Sequence, residues 1–309
     1  MMTARGRRLG ASLICLLLIM MGAPAIDAQR DDPLPLRAIP HEGYTRSYLL
    51  YVPETYTETE PVPLVLVFHG AGANAESMVN GTELRDLADN NGTIIAYLNA
   101  VNGRWDYLDV PLERGGTVVD DVGFAALLID ELSGNYSIDQ DRIYTMGYSN
   151  GALMAFRVRC TLDDRIAATG LVGASMTYGL AQLCIGAAPV PTAFTLGTDD
   201  PVFPLNGYAE IDNGILYSGF SHIMTFSYLA SLNQCELAMG RFKDVTASAQ
   251  SDRMIVQEPA GCASDDLIRF YVVAEVGHVW PDALVMQSDE TVVTVPAAIW
   301  SFLHERALN

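Results

Sequence analysis

The sequence predicts an α/β fold, with a mostly parallel central sheet flanked by helices. Three observations lead there. Short apolar runs alternate with amphipathic stretches along the chain. One run, Leu64-Val65-Leu66-Val67-Phe68, is continuously apolar, as a strand buried on both faces must be. Residues 142–154 read as a β-branched and aromatic strand, then Gly147-Tyr148-Ser149-Asn150-Gly151, then the first turns of an apolar-rich helix. In order, residues 44–52 make an early, partly exposed strand, and residues 64–68, 93–97 and 142–146 make buried ones. Residues 193–196 and 270–274 complete the central set. Helices are expected over 121–132, from 150 onward, and over 296–306 at the end. Only about 50 residues separate Ser149 from Asp200, so no large lid is expected between them.

A serine between two glycines on a strand-to-helix turn is the nucleophile-elbow pattern. A Cβ at either glycine would strike the neighbouring strand or helix, and the serine itself is expected in a strained conformation. In open parallel sheets functional groups gather beyond the carboxyl ends of strands. His69-Gly70-Ala71-Gly72 follow one strand, Gly197-Thr198-Asp199-Asp200-Pro201 another, and Glu275-Val276-Gly277-His278-Val279-Trp280-Pro281 a third. A serine, an acid and a histidine are thus expected from three successive strand ends.

A serine hydroxyl needs a base within hydrogen-bond reach. His304 lies in the final amphipathic helix and His222 has no expected strand before it, whereas His278 follows a buried strand with Gly277 beside it for close approach. His278 is the expected base. Asp200 is preferred over Asp199 to orient it, because Pro201 fixes the turn. The developing oxyanion needs preplaced donors, expected from the backbone N–H groups of Asn150 and Ala71. The His69 side chain reads as structural, and Asp120-Asp121 as caps of the helix they precede. Trp280, Trp105 and Tyr148 are candidates for the substrate wall, Trp105 equally for the core.

The N-terminal 28 residues read as a signal peptide: Arg5, Arg7 and Arg8, an apolar run, then small residues with cleavage after Ala25 or Ala28. Residues 29–309 then form a single domain, with no linker or second module. Secretion to an extracellular or periplasmic space follows, without stable membrane insertion after cleavage. The formal charge of the whole chain is −19, and Lys243 is the sole lysine, which argues against nucleic acid as a partner. Beyond the leader, Cys160, Cys184, Cys235 and Cys262 read as two disulfides, with three connectivities open and sequential pairing closing loops of about 25 residues. No spacing suggests a metal site, and no cofactor is called for.

The order Ser, Asp, His is that of the α/β-hydrolase fold. Val67-Phe68-His69-Gly70-Ala71-Gly72, Asp120-Asp121-Val122-Gly123-Phe124, Gly147-Tyr148-Ser149-Asn150-Gly151, Gly197-Thr198-Asp199-Asp200-Pro201-Val202 and Gly277-His278-Val279-Trp280-Pro281 together resemble the secreted polyhydroxybutyrate depolymerase and feruloyl esterase family, related to carbohydrate esterase family one. The resemblance implies a Ser149–His278–Asp200 triad, both sequential disulfides, and ester hydrolysis through an acyl-enzyme. Asp282 and Tyr228 depart from the family pattern, which usually has glycine and tryptophan there. The substrate expected is a small or polymer-borne ester, with feruloyl, acetyl or short hydroxyacyl groups ahead of solid polyester. Peptidase, acyltransferase and non-catalytic binding roles are the competing readings on the same fold.

Overall fold

The computed structural model describes residues 33–109, 117–212, 215–246, 253–260, 262, 267–281, 285–288 and 291–308. The expected signal peptide and the Asp282 departure lie outside them. In chain order the chain forms β1 (Leu36–His41), β2 (Tyr44–Tyr51), β3 (Val62–Phe68), α1 (Ala75–Asn80), α2 (Leu84–Asn91), β4 (Ile94–Leu98), α3 (Asp121–Asn135), β5 (Ile138–Tyr148), α4 (Asn150–Thr161) and β6 (Ala168–Val172). There follow α5 (Tyr178–Leu183), β7 (Thr192–Gly197), β8 (Tyr208–Asp212), β9 (Ile215–Gly219), α6 (His222–Leu232), β10 (Glu236–Thr246), β11 (Arg253–Ala260), β12 (Ile268–Val273), β13 (Val285–Ser288), β14 (Thr291–Thr294) and α7 (Val295–His304).

Ten strands form the main sheet in the order β1-β2-β4-β3-β5-β6-β7-β12-β11-β10. The six from β4 to β12 run parallel, and antiparallel pairs extend the sheet at both edges. Leu64 to Phe68 of β3 are fully buried, as their unbroken apolar run requires. Each such side chain contributes roughly 1.5–3 kcal/mol of transfer free energy. The sheet separates two apolar clusters. One holds Phe124, Leu128, Phe156 and Trp105 from the side of α3 and α4. The other holds Ile299, Trp300, Phe302 and Leu303 of α7 with Met78 of α1.

The three expected helices form where the sequence places them. Asp120 caps α3 by accepting the Gly123 N–H at 2.7 Å. Asp121 departs from the capping role: it is buried and paired with Arg46 at 2.5 Å. Thr294 caps α7, and Pro296 occupies its first turn, where no backbone N–H is needed.

Four strands of the main sheet are additional to the sequence reading. β6, Ala168-Thr169-Gly170-Leu171-Val172, is short and carries small residues because α7 lies directly on it; a Cβ on Gly170 would stand 2.6 Å from Ile299. β1, β10 and β11 pair antiparallel at the two margins of the sheet, and Pro40 stands in the edge strand β1, where a missing N–H is tolerated. β6 also corrects the expectation of three successive strand ends, since it lies between the strands leading to Ser149 and Asp200. Between those residues stand only α4, β6, α5 and β7, with no room for a lid. The longer excursion follows Asp200, where the β8–β9 hairpin bridges to Thr177 through Gly219 and α6 then packs against β10 and β12. Cys160–Cys184 joins the ends of α4 and α5, and Cys235–Cys262 closes the β10–β11 hairpin.

Candidate active site

Ser149 sits at the N-terminus of α4 with φ +56° and ψ −123°, the strained conformation expected of an elbow. The flanking glycines are needed for space. A Cβ on Gly147 would run into the Gly151 carbonyl and the Ala152 N–H, and one on Gly151 into the carbonyls of Phe68 and His69. The second approach draws the start of α4 against the end of β3. The same packing brings Gly70 beside the nucleophile: a Cβ there would lie 3.5 Å from the Ser149 Cβ.

His278 Nε2 lies 2.9 Å from Ser149 Oγ, and Nδ1 lies 2.8 Å from Asp200 Oδ2. Asp200 Oδ1 accepts the backbone N–H groups of Val202 and Phe203, each at 2.8 Å. Burial alone would raise the Asp200 carboxyl, but the hydrogen bonds from His278, Phe203 and Val202 outweigh it and hold the group below its usual range. An ionised carboxylate accepts the Nδ1–H and leaves Nε2 free to accept the serine proton. Asp199 faces away, its Oδ1 accepting from Thr198 at 3.0 Å. The glycine that admits the histidine loop is Gly197, whose Cβ would strike the Val276 carbonyl; a Cβ on Gly277 would meet only the Asp199 carbonyl, at 3.9 Å.

Tyr148 stacks on the His278 ring at 5.2 Å between centroids and donates its hydroxyl to the His278 carbonyl at 2.9 Å. Burial, joined by the nearby Asp200 charge, pushes that hydroxyl up to about 12, so it remains a donor. Its ring is therefore engaged with the base. Trp280 is half-buried, edge-on to Tyr148 at 6.2 Å, and hydrogen-bonded to Glu83. Phe203, which the sequence reading did not single out, tilts against His278 at 5.7 Å. Exposed Val202 lies two residues after the acid, and exposed Val279 directly follows the base. His222 does have a strand before it, β9, but its Nδ1 is engaged with the Leu205 carbonyl.

Trp105 is a correction. It is completely buried, edge-on to Phe68, and lines no substrate space. His69 is structural as expected: Nδ1–H donates to the Gly70 carbonyl, and Nε2 accepts the Ala100 N–H at 3.1 Å. Burial lowers its basicity and keeps it neutral. Ala71 is exposed in the turn after β3, and Asn150 opens α4, where first-turn N–H groups lack helical acceptors. No group of residues that could hold a metal ion occurs among the described residues, and none of their helices is long and apolar enough to cross a membrane.

Fold and site together define an α/β-hydrolase with a serine, a histidine and an aspartate in hydrogen-bonded sequence beyond its parallel strands. Among solved structures, acetyl xylan esterase from Aspergillus awamori superposes with a TM-score of 0.59 at 13% identity, covering 87% of this chain and 99% of that one. Residues 46–257 match the Esterase PHB depolymerase family, and the chain belongs to it. NocK of Nocardia uniformis subsp. tsuyamanensis, provisionally named an esterase, is 33% identical over 57% of this chain and 52% of its own length. Feruloyl esterase B of Piromyces equi is 27% identical over 62% of this chain and 36% of its own length. The match thus spans about half or less of these relatives.

Proposed function

We propose that the chain is an exported serine esterase that hydrolyses carboxylic esters through an acyl-enzyme. The observation that carries this reading is the unbroken relay from Ser149 Oγ to His278 to Asp200, at 2.9 and 2.8 Å, on a strained elbow. Ser149 attacks the ester carbonyl while its proton passes to His278 Nε2, and Asp200 steadies the imidazolium. The N–H groups of Asn150 and Ala71 receive the oxyanion. His278 then protonates the leaving alcohol, and a water deprotonated by the same nitrogen releases the acid. Export is supported by the leader-like N-terminus and by two disulfides, which persist in oxidising compartments.

Feruloyl, acetyl or short hydroxyacyl esters are the proposed substrates. The named relatives and the exposed valines beside the acid and base favour them. The family description supports a second reading, a hydroxyalkanoate polyester. Initial rates on p-nitrophenyl acetate and methyl ferulate, for the mature chain and Ser149→Ala, test the proposal. Turnover of both, lost in the variant, is expected; acetate turnover alone moves the substrate to acetyl or hydroxyacyl esters. Activity surviving the substitution overturns the relay, and rapid monomer release from a solid polyester film selects the second reading.

A further inference from the structure

The two segments proposed to supply the oxyanion donors are held by one completely buried residue. The Trp105 indole N–H donates to the His69 carbonyl at 2.8 Å, one residue before Gly70-Ala71. Its backbone N–H donates to Asn150 Oδ1 at 2.8 Å, and its backbone carbonyl accepts from Asn150 Nδ2 at 3.4 Å. From the same loop the Gly103 carbonyl accepts the Gly72 N–H at 2.8 Å, and the Ala100 N–H reaches His69 Nε2. Beyond Trp105, the Asp106 N–H donates to Asp121 Oδ2 at 2.7 Å, and Asp121 is locked to buried Arg46.

We infer that Trp105 is a positioning residue that sets the separation of the Ala71 and Asn150 N–H donors, with the Asn150 side chain as its second arm. The inference rests on the acyl-transfer reading above. An oxyanion hole works only if its donors stand about 3 Å from where the charge develops, before it develops. A residue whose side chain holds one donor segment and whose backbone holds the other, buried so that water cannot replace its hydrogen bonds, supplies that preorganisation. Ordinary core packing would need the ring of Trp105; it would not need these two sets of hydrogen bonds.

The test uses Trp105→Phe, which keeps an aromatic ring and removes the indole donor, and Asn150→Ala, which removes the second arm. Steady-state rates on p-nitrophenyl acetate are measured beside inhibition by phenylboronic acid, whose tetrahedral serine adduct places an oxygen in the hole. Each variant is expected to lose roughly 10- to 100-fold in kcat with KM within about twofold. The boronate should weaken by the same factor as kcat/KM falls. A loss carried by KM, a boronate affinity that does not move, or wild-type kinetics in a folded variant overturns the inference. If Trp105→Phe does not fold, Asn150→Ala decides it by the same criteria. Ser149→Ala separates the two levels. Turnover persisting there overturns the acyl-transfer reading itself, whereas its loss beside wild-type kinetics in the other two overturns only the role of Trp105.

Discussion

The two sides of Ser149 are built differently. On the side of His278 and Asp200, the groups are side chains on loops after β12 and β7, partly open to solvent at the histidine, steadied by Tyr148 and Phe203. On the opposite side, the proposed donors are backbone N–H groups, and behind them lies a buried network of His69, Trp105, Asn150, Asp121 and Arg46. A relay must move protons and tolerates local freedom. An oxyanion hole must not move, and the segments proposed to form it are tied into the core of the fold. Damage on the first side should therefore abolish chemistry and spare stability, while damage deep on the second should cost stability.

The largest expected effect breaks the first side. His278→Ala should lower kcat/KM by about 10⁴-fold or more, while the thermal midpoint moves by only a few degrees. Rates on p-nitrophenyl acetate with parallel calorimetry read both quantities, and an equal collapse of stability would erase the contrast. On the second side, Arg46→Ala leaves the buried Asp121 carboxylate without its charged partner. Such a loss costs about 3–5 kcal/mol in denaturant unfolding. A cost under about 1 kcal/mol would show that the network is not anchored there.

The smallest effect sharpens the comparison through pH. Burial lowers the basicity of both His69 and His304; His304 is held between Thr93 and the Trp300 carbonyl at the end of α7. The unfolded chain therefore takes up protons at these histidines before the folded one does. Stability is unaffected above the unfolded imidazole value of about 6.5 and falls as pH drops below it. Asp200, held below its usual range in the folded state, adds a loss only near pH 4 and under. Denaturant midpoints across pH 8 to 3 should show these two windows, and His304→Gln should flatten the first. A midpoint constant from pH 7 to 5 would contradict the buried neutral histidines.

This asymmetry explains what could be read from the sequence. Ser149, Asp200 and His278 were legible because their chemistry lies in side-chain type, order and position after apolar strands. The elbow glycines were legible because only close backbone contact calls for them, and the structure shows both contacts. The oxyanion side was only partly legible. The proposed donors Ala71 and Asn150 were expected from position alone, because a backbone N–H leaves no residue signature. Trp105 read as wall or core because nothing in Arg104-Trp105-Asp106 announces that its indole reaches His69. Gly277 drew attention beside the histidine, while the constraint fell on Gly197 across the loop. Likewise β6 was hidden by its small residues, whose reason is the approach of α7 from over a hundred residues away in sequence. Local pattern fixes chemistry carried by side chains; contacts that depend on tertiary approach leave weaker traces.

The central claim is that Ser149 carries the acyl group, and the most direct measurement is acid quenching during turnover of p-nitrophenyl acetate, followed by peptide mass analysis. The account predicts an acetyl increment on the peptide containing Ser149, absent in Ser149→Ala and in His278→Ala. Full turnover with no acetylated serine at any quench time, or an acetyl group on another residue that supports turnover in Ser149→Ala, would contradict it.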